Sequence, residues 1–405
     1  MRSPTDADIA AARPAVERIA RRTPVVSSRT ISERTGATVV LKAENLQRTG
    51  SFKVRGVSAK LEALGEAGCA GGVVAASAGN HAQALAAVAA ARGVPCDVYV
   101  PANAPIAKAE AARGHGARVH VGGESLDDCL AMALERAESS GAAFVHPYDD
   151  ADVVAGQGSL GLELLEDVPD LARIVVPVGG GGLAAGIAVA VKAARPAVEV
   201  IGVQVAACAP YPESLARGEP VPAASALTIA DGIAVKRPGD LTLALLREWL
   251  DELVVVEDEA TAEAMFWLLE RAKLVVEGAG AVGVAALLGG QVAPAPEGTT
   301  VAVLSGGNVD PGLLLTIARR HETLAKRRLV ILTRVPDRPG GLVGLLTRVA
   351  QAGANVVDVS HVREGIELHV RETAVELVLE TRGQDHADAV LAALDEAGYA
   401  AQAMY

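Results

Sequence analysis

From about residue 38 to 310 the chain alternates short β-branched apolar runs with alanine-rich stretches of helical periodicity. The runs "ATVVLKA", "GGVVAAS", "CDVYVP", "ARVHV", "RIVVPV", "VEVIGVQV", "ELVVV" and "TVAVLS" read as strands, and segments such as "QALAAVAAA" as helices between them. Such alternation predicts an α/β fold with a mostly parallel, doubly wound sheet, in which ligands bind at the carboxyl ends of strands. A polar, helical stretch, "TIARRHETLAKRR", residues 316 to 328, reads as a connector. Beyond it the pattern changes to "LVILTRV" (strand), "PGGLVGLLTRVAQAG" (helix), "NVVDVSHVRE" and "AVELVLETR" (strands), "DHADAVLAALDEAG" (helix) and a tail strand. Residues 329 to 405 are therefore expected to form a compact βαββαβ module.

Composition narrows the function classes. With 405 residues the chain is long enough for two or three domains, and its apolar half, poor in aromatics, builds the core from Ala, Val, Leu and Ile. The formal charge of -12 argues against a nucleic-acid partner, because no basic face is available to neutralise phosphates; a small-molecule substrate is expected instead. Cys69, Cys96, Cys129 and Cys208 are scattered without metal or disulfide spacing and read as small buried hydrophobes, so no metal site is expected. The acid-containing N-terminus does not resemble a secretory signal, and no apolar run reaches the ~18 residues of a membrane span. A cytoplasmic enzyme or sensor is the default.

Three glycine-rich stretches follow strand-like runs. In "VPVGGGGLAAGIAVAVKAAR", Gly179, Gly180, Gly181 and Gly182 join a strand to a helix; converging N–H groups and a helix start suit an anion such as phosphate, whereas a plain turn does not need four glycines. "EGAGAVG" matches dinucleotide-binding spacing at Gly278, Gly280 and Gly283, yet the acid that should end the following strand is replaced by Ser305, and after the first loop by Gln204. Neither loop completes a nicotinamide site, and Gly278 to Gly283 read as close helix packing. In "LSGGNVD", Ser305 offers a hydroxyl at a strand end, or else caps the next turn.

"SAGNHAQALAAVAAARG", residues 77 to 93, opens a helix with Ser77, Gly79 and Asn80, whose polar groups suit a carboxylate or simply cap the helix. His81 is a candidate base or a packed, hydrogen-bonded residue. Lys53, in "GSFKVRG", is by itself no different from a surface lysine. An amine, a phosphate cradle, a carboxylate-like loop and a strand-end hydroxyl in one chain nevertheless describe a pyridoxal phosphate site.

In order along the chain, "GSFKVRG", "SAGNHAQA", "VGGGGL", "ADGIAV", "VVEGAGA" and "LSGGNVD" resemble the fold type II pyridoxal phosphate enzymes, a tryptophan synthase β-like fold of two α/β subdomains. Within that family the chain is most similar to the threonine dehydratases, or threonine ammonia-lyases. "VPDRPGGLVGLLTRVAQAGANVVDVSH" looks like an ACT domain. The division implied is a catalytic part over 1–320 with a smaller subdomain at about 50–150 inserted, a linker over 321–328, and the ACT-like module over 329–405.

The resemblance implies that Lys53 is the Schiff-base lysine with Phe52 beside the ring, and that Asn80 contacts the ring's 3'-oxygen. Ser77, Ala78, Gly79, Asn80 and His81 would receive the substrate carboxylate. Gly179, Gly180, Gly181, Gly182 and Leu183 would hold the phosphate, and Ser305 the pyridine nitrogen. A neutral hydroxyl at that nitrogen weakens the electron sink and favours prompt loss of a β-hydroxyl. The implied reaction releases a 2-oxo acid and ammonia from L-threonine, with L-serine as a further substrate. Serine racemases carry a second serine where this chain has Ala78, and acids where it has Gln204 and Pro210; synthases of the family carry aspartate where it has Val54. A serine racemase or dehydratase, or an amino-acid sensor without catalysis, remains the alternative. For the module, the resemblance implies an amino-acid effector such as isoleucine or valine at Asp337, Pro339, Gly340, Gly341 and Leu342, in a dimer or tetramer.

Overall fold

The computed structural model describes residues 2–104, 106–363 and 368–404, so the expected strand over 355–364 has its last residue outside the described residues. The chain divides into two compact units, residues 1–310 and 311–405. Among the described residues, ten strands belong to the first: β1 (Val25–Ser27), β2 (Val39–Ala43), β3 (Val73–Ala76), β4 (Cys96–Val100), β5 (Arg118–Val121), β6 (Ala143–Phe144), β7 (Leu171–Pro177), β8 (Glu199–Val205), β9 (Glu252–Val256) and β10 (Thr299–Leu304).

They form two sheets rather than the single sheet that the alternation alone predicts. The larger has the order β1-β2-β10-β7-β8-β9, parallel except at β1, and the smaller the order β5-β4-β3-β6, parallel throughout. Apolar runs announce a strand but not its sheet, and β1 and β6, three and two residues long, are too short to show alternation. Strands β3, β4 and β10 are buried along their whole length, as expected of parallel strands covered by helices on both faces.

Three helices fix the geometry of the cleft between the sheets. Gly56, on the helix Lys53–Cys69, lies so close to the helix Ala151–Asp167 that a Cβ there would come within 2.7 Å of Val153 O; one on Gly156 would stand 2.6 Å from Arg55 O. On the other side a Cβ on Gly186, in the helix Gly182–Ala194, would lie 2.5 Å from Val154 O. Missing side chains thus let these backbones approach more closely than Ala would allow.

Beneath this contact lies a buried charge cluster. Arg55 bonds Glu44 at 2.8 Å and Glu163 at 2.7 Å, and Lys42 bonds Glu163 at 2.8 Å and Thr23 O at 2.8 Å; Arg55, Lys42 and Glu44 expose no surface. Burial pushes the Glu44 carboxyl up, but the Arg55 guanidinium outweighs it and holds Glu44 below its ordinary value.

The second unit begins with the helix Pro311–Leu324, followed by β11 (Arg328–Pro336), the helix Gly341–Gln351, β12 (Asn355–Val362), β13 (Glu372–Glu380), the helix Gln384–Glu396 and β14 (Gln402–Met404). The four strands make an antiparallel sheet of order β12-β13-β11-β14, whose core includes Ile331, Leu345, Leu377 and Val390. This is the βαββαβ pattern read from the alternation of periods.

Replacing Arg55 by Ala would leave the buried Glu44 without its bonded cation and Glu163 with Lys42 alone. We expect a loss of about 3–5 kcal/mol in folding stability, measured by denaturant unfolding; an unchanged midpoint would show the cluster to be solvated.

Candidate active site

The loop before the helix Lys53–Cys69 is clasped onto the end of β10. Phe52 N–H donates to Ser305 O at 3.1 Å, Gly307 N–H to Gly50 O at 2.9 Å, and Asn308 Nδ2 to Thr49 O at 2.8 Å. Thr49 adopts φ 61, a conformation that a threonine accepts only where its surroundings enforce it. This clasp puts Lys53 and Ser305, far apart in sequence, on one cleft.

That cleft is lined by Phe52, Lys53, Asn80, Gly179, Gly180, Gly181, Gly182, Leu183 and Ser305, together with Tyr148 and Glu277. Lys53 Nζ donates to Pro147 O at 2.8 Å and stands 5.1 Å from the centre of the Phe52 ring. Burial lowers its pKa to about 8, against the charge of Glu277, which acts to raise it. Asn80, at the start of the helix Asn80–Ala91, donates through Nδ2 to Glu277 at 2.7 Å and accepts from Asn308 Nδ2 at 2.8 Å.

The glycine run follows β7 and opens the helix Gly182–Ala194. A Cβ on Gly180 would overlap the Tyr148 ring, and one on Gly181 the Tyr211 hydroxyl; Gly181 also takes φ 90. Side chains are therefore excluded here on packing grounds as well as by conformation. Among the described residues no acceptor meets the N–H groups of Gly179 through Leu183, and none meets the Ser305 hydroxyl. Unpaired donors at a buried helix start await an anion.

Ser77, Ala78, Gly79 and His81 share the β3-to-helix loop with Asn80 but do not line this cleft. Ser77 Oγ accepts from Gly79 N–H at 3.2 Å. His81 is buried, with Nε2 2.8 Å from Val145 O and Nδ1 unpartnered. Burial, with help from the Lys53 charge, lowers its pKa to about 3, so it stays neutral and Nε2 carries the hydrogen that the carbonyl accepts. The geometry suits packing better than proton transfer. In the second unit, Asp337, Pro339 and Gly340 lie exposed in the turn between β11 and its helix, which opens with the half-buried Gly341 and Leu342; Gly340 has φ 86 and Asp337 pairs with Arg363 at 3.2 Å.

The cleft also holds a residue that sequence reasoning passed over. Glu277 is buried; burial, together with the charge of Asp231, raises its pKa to about 7, while Asn80 acts to lower it. Its signal was a lone acid inside the apolar run "VVEGAG". The glycines that follow it do pack closely: a Cβ on Gly278 would lie 2.5 Å from Ile229 O, and one on Gly280 2.7 Å from Gly306 O. Gln204 is buried and spans Val178 O and Tyr211 N–H, at 3.1 and 3.0 Å. Among the described residues no group of three or more His, Cys, Asp or Glu is placed to hold a metal ion.

Residues 16–306 match the family model described as pyridoxal-phosphate dependent enzyme. The chain belongs to this family. An amine of lowered pKa beside unpaired glycine donors and an unpaired serine hydroxyl fits pyridoxal phosphate, its cofactor. The chain is 45% identical over 97% of its length, and 97% of the relative's, to an L-threonine ammonia-lyase of Thermotoga maritima. Its fold is similar to a solved threonine deaminase from T.th., with TM-score 0.72 and 39% identity over 76% of this chain and 99% of that one. It is also similar to maize serine racemase, with TM-score 0.75 and 34% identity over 80% and 99%. As to membranes, none of the helices, among the described residues, is long and apolar enough to cross one.

With the cofactor stripped from the full-length protein, modification of Lys53 by a small amine reagent is expected to follow a pH midpoint near 8. Glu277→Gln removes the charge that favours the ammonium, so the midpoint moves lower. A midpoint at the ordinary lysine value of about 10.4 would contradict the burial argument.

Proposed function

We propose that this protein is an L-threonine ammonia-lyase, converting L-threonine to 2-oxobutanoate and ammonia and L-serine to pyruvate. The observation that carries the reading is the convergence of Lys53, Asn80, the 179–183 donors and Ser305 on one cleft. Identity to the Thermotoga relative along nearly the whole chain supports the choice of substrate.

In this reading the N–H groups of Gly179 through Leu183 hold the phosphate, Asn80 the 3'-oxygen and Ser305 the ring nitrogen. When bound, pyridoxal phosphate supplies an electron sink conjugated to the substrate's α-carbon. Lys53 would anchor the cofactor through its amine and, as a neutral amine, would be the base that takes the substrate's α-proton. Its lowered pKa leaves a useful fraction of neutral amine near pH ~7.5, which an ordinary lysine would lack. Ser305, a neutral hydroxyl rather than a carboxylate, would hold the ring nitrogen without a counter-charge, so the bound group would act as a weaker electron sink, suited to elimination. The start of the helix Asn80–Ala91, where Asn80 reaches the cleft, would receive the substrate carboxylate, with Ser77, Ala78, Gly79 and His81 shaping that loop from outside the lining. Ala78 carries no hydroxyl for protonating the opposite face, which disfavours racemisation.

The second unit is read as an ACT-like regulatory module, supported by its strand order and by the turn at 337–342 between β11 and its helix. That turn would bind a branched-chain amino acid, isoleucine or valine, in a homodimer or homotetramer.

The purified protein should be yellow and release 2-oxobutanoate from L-threonine, and Lys53→Ala should lose both the colour and at least about 10³-fold in turnover. Colourless, inactive wild type would reject the enzyme reading in favour of a sensor. With L-serine, a chiral assay should find pyruvate without D-serine; accumulating D-serine would favour the racemase.

Isoleucine or valine should change the L-threonine kinetics of the full chain, and Gly340→Val, which forces a β-branched residue into φ 86, should abolish the response while sparing basal turnover. An identical response in wild type and variant would move the effector elsewhere.

A further inference from the structure

The glycine run is held from behind by two buried hydroxyls. Thr242 Oγ1 donates to Gly180 O at 2.7 Å, and the Tyr211 hydroxyl reaches the same oxygen at 3.0 Å. Neither residue lines the cleft, neither exposes surface, and each stands on a different element: Tyr211 opens the helix Tyr211–Arg217, and Thr242 lies in the first turn of the helix Asp240–Trp249.

Both elements are themselves anchored. Gln204 Oε1 accepts from Tyr211 N–H while its Nε2 donates to Val178 O, directly before the glycines. Asp149 accepts from Asp240 N–H at 3.1 Å and Thr242 N–H at 3.0 Å, doing for that helix start what its Gly239 N-cap cannot. Burial pushes the Tyr211 phenol above its ordinary value, so it keeps the hydrogen it donates.

The peptide bond joining Gly180 to Gly181 is trans, and in a trans peptide the carbonyl and the following N–H point in opposite directions. Two donors on the carbonyl, on the side away from the cleft, therefore turn the Gly181 N–H toward it. Glycine on both sides of this bond leaves the peptide free to rotate, since neither residue has a Cβ to restrict it. Something outside the run must choose its orientation. We propose that Tyr211 and Thr242 are positioning residues for the cofactor's phosphate, fixing the Gly180–Gly181 peptide with its N–H turned into the cleft.

The inference rests on the reading of residues 179–183 as the phosphate site, and the test separates the two. Full-length protein stripped of cofactor is titrated with pyridoxal phosphate and with pyridoxal, which lacks the phosphate, following the yellow colour. Wild type should prefer the phosphorylated form strongly. Tyr211→Phe and Thr242→Val each remove one of two bonds to the carbonyl and should weaken pyridoxal phosphate about fivefold while leaving pyridoxal unchanged. Thr242→Ser, which restores the hydroxyl, should bind as wild type does. The double variant leaves a buried carbonyl with no donor and should lose more than the product of the single effects.

Single variants with wild-type affinity, or variants that lose both ligands equally, would overturn the proposal, as would Thr242→Ser behaving like Thr242→Val. Wild type that does not distinguish the two ligands would overturn the phosphate site itself. The phosphorus-31 resonance of the holoenzyme reads the same contact without stripping. It should be displaced in Tyr211→Phe and Thr242→Val and return in Thr242→Ser; an undisplaced resonance in both would also overturn the proposal.

Discussion

The placement of Lys53 in the first unit depends on Arg55 being paired. It sits two residues beyond Lys53, exposes no surface, and bonds one glutamate before its helix and another on the helix Ala151–Asp167. An isolated guanidinium at that depth would be strongly unfavourable, so Glu44 and Glu163 are obligatory partners rather than additions. The pairing therefore fixes how the lysine's helix enters the cleft. Close glycine contacts, Gly56 with Gly156 and Gly158 with Gly186, then carry that placement across to the helix that opens with the glycine run. Two nearly featureless devices, a satisfied charge and missing methyl groups, thus set the distance between amine and phosphate donors.

In and around the cleft, neighbours adjust one another's protons. Lys53, Glu277 and His81 are all moved toward their neutral forms by burial, to about 8, 7 and 3. An apolar interior that disfavours charge is what leaves the amine able to take a proton near neutrality.

Much of this was legible in the residues. The eight apolar runs all became strands, the change of period after residue 328 became the βαββαβ elements of a second unit that itself starts earlier, at residue 311, and the strand-end position of Ser305 and the helix-start position of the glycines followed from those elements. What was hidden has physical reasons. The partition of strands between two sheets depends on packing over long sequence separations, which periodicity does not encode. Tyr211, Thr242 and Asp149 act through hydrogen bonds between elements far apart in the chain, so no local spacing marks them. Glu277 draws no notice until its burial is known, and His81 stays open between base and packed, hydrogen-bonded residue until its carbonyl partner and buried neutral ring are seen.

The short stretch from Val145 to Asp149 joins these separate parts. Val145 O accepts from His81, His146 Nδ1 accepts the N–H groups of Tyr148 and Asp149, Pro147 O accepts from Lys53, the Tyr148 ring fills the space beside Gly180, and Asp149 holds the start of a helix. Successive residues thus serve different partners, each in its own direction. Point substitutions here disturb one contact at a time, but inserting or deleting a single residue would put every later contact out of register at once. Among relatives that keep this cleft, the segment's length should be far more uniform than its composition.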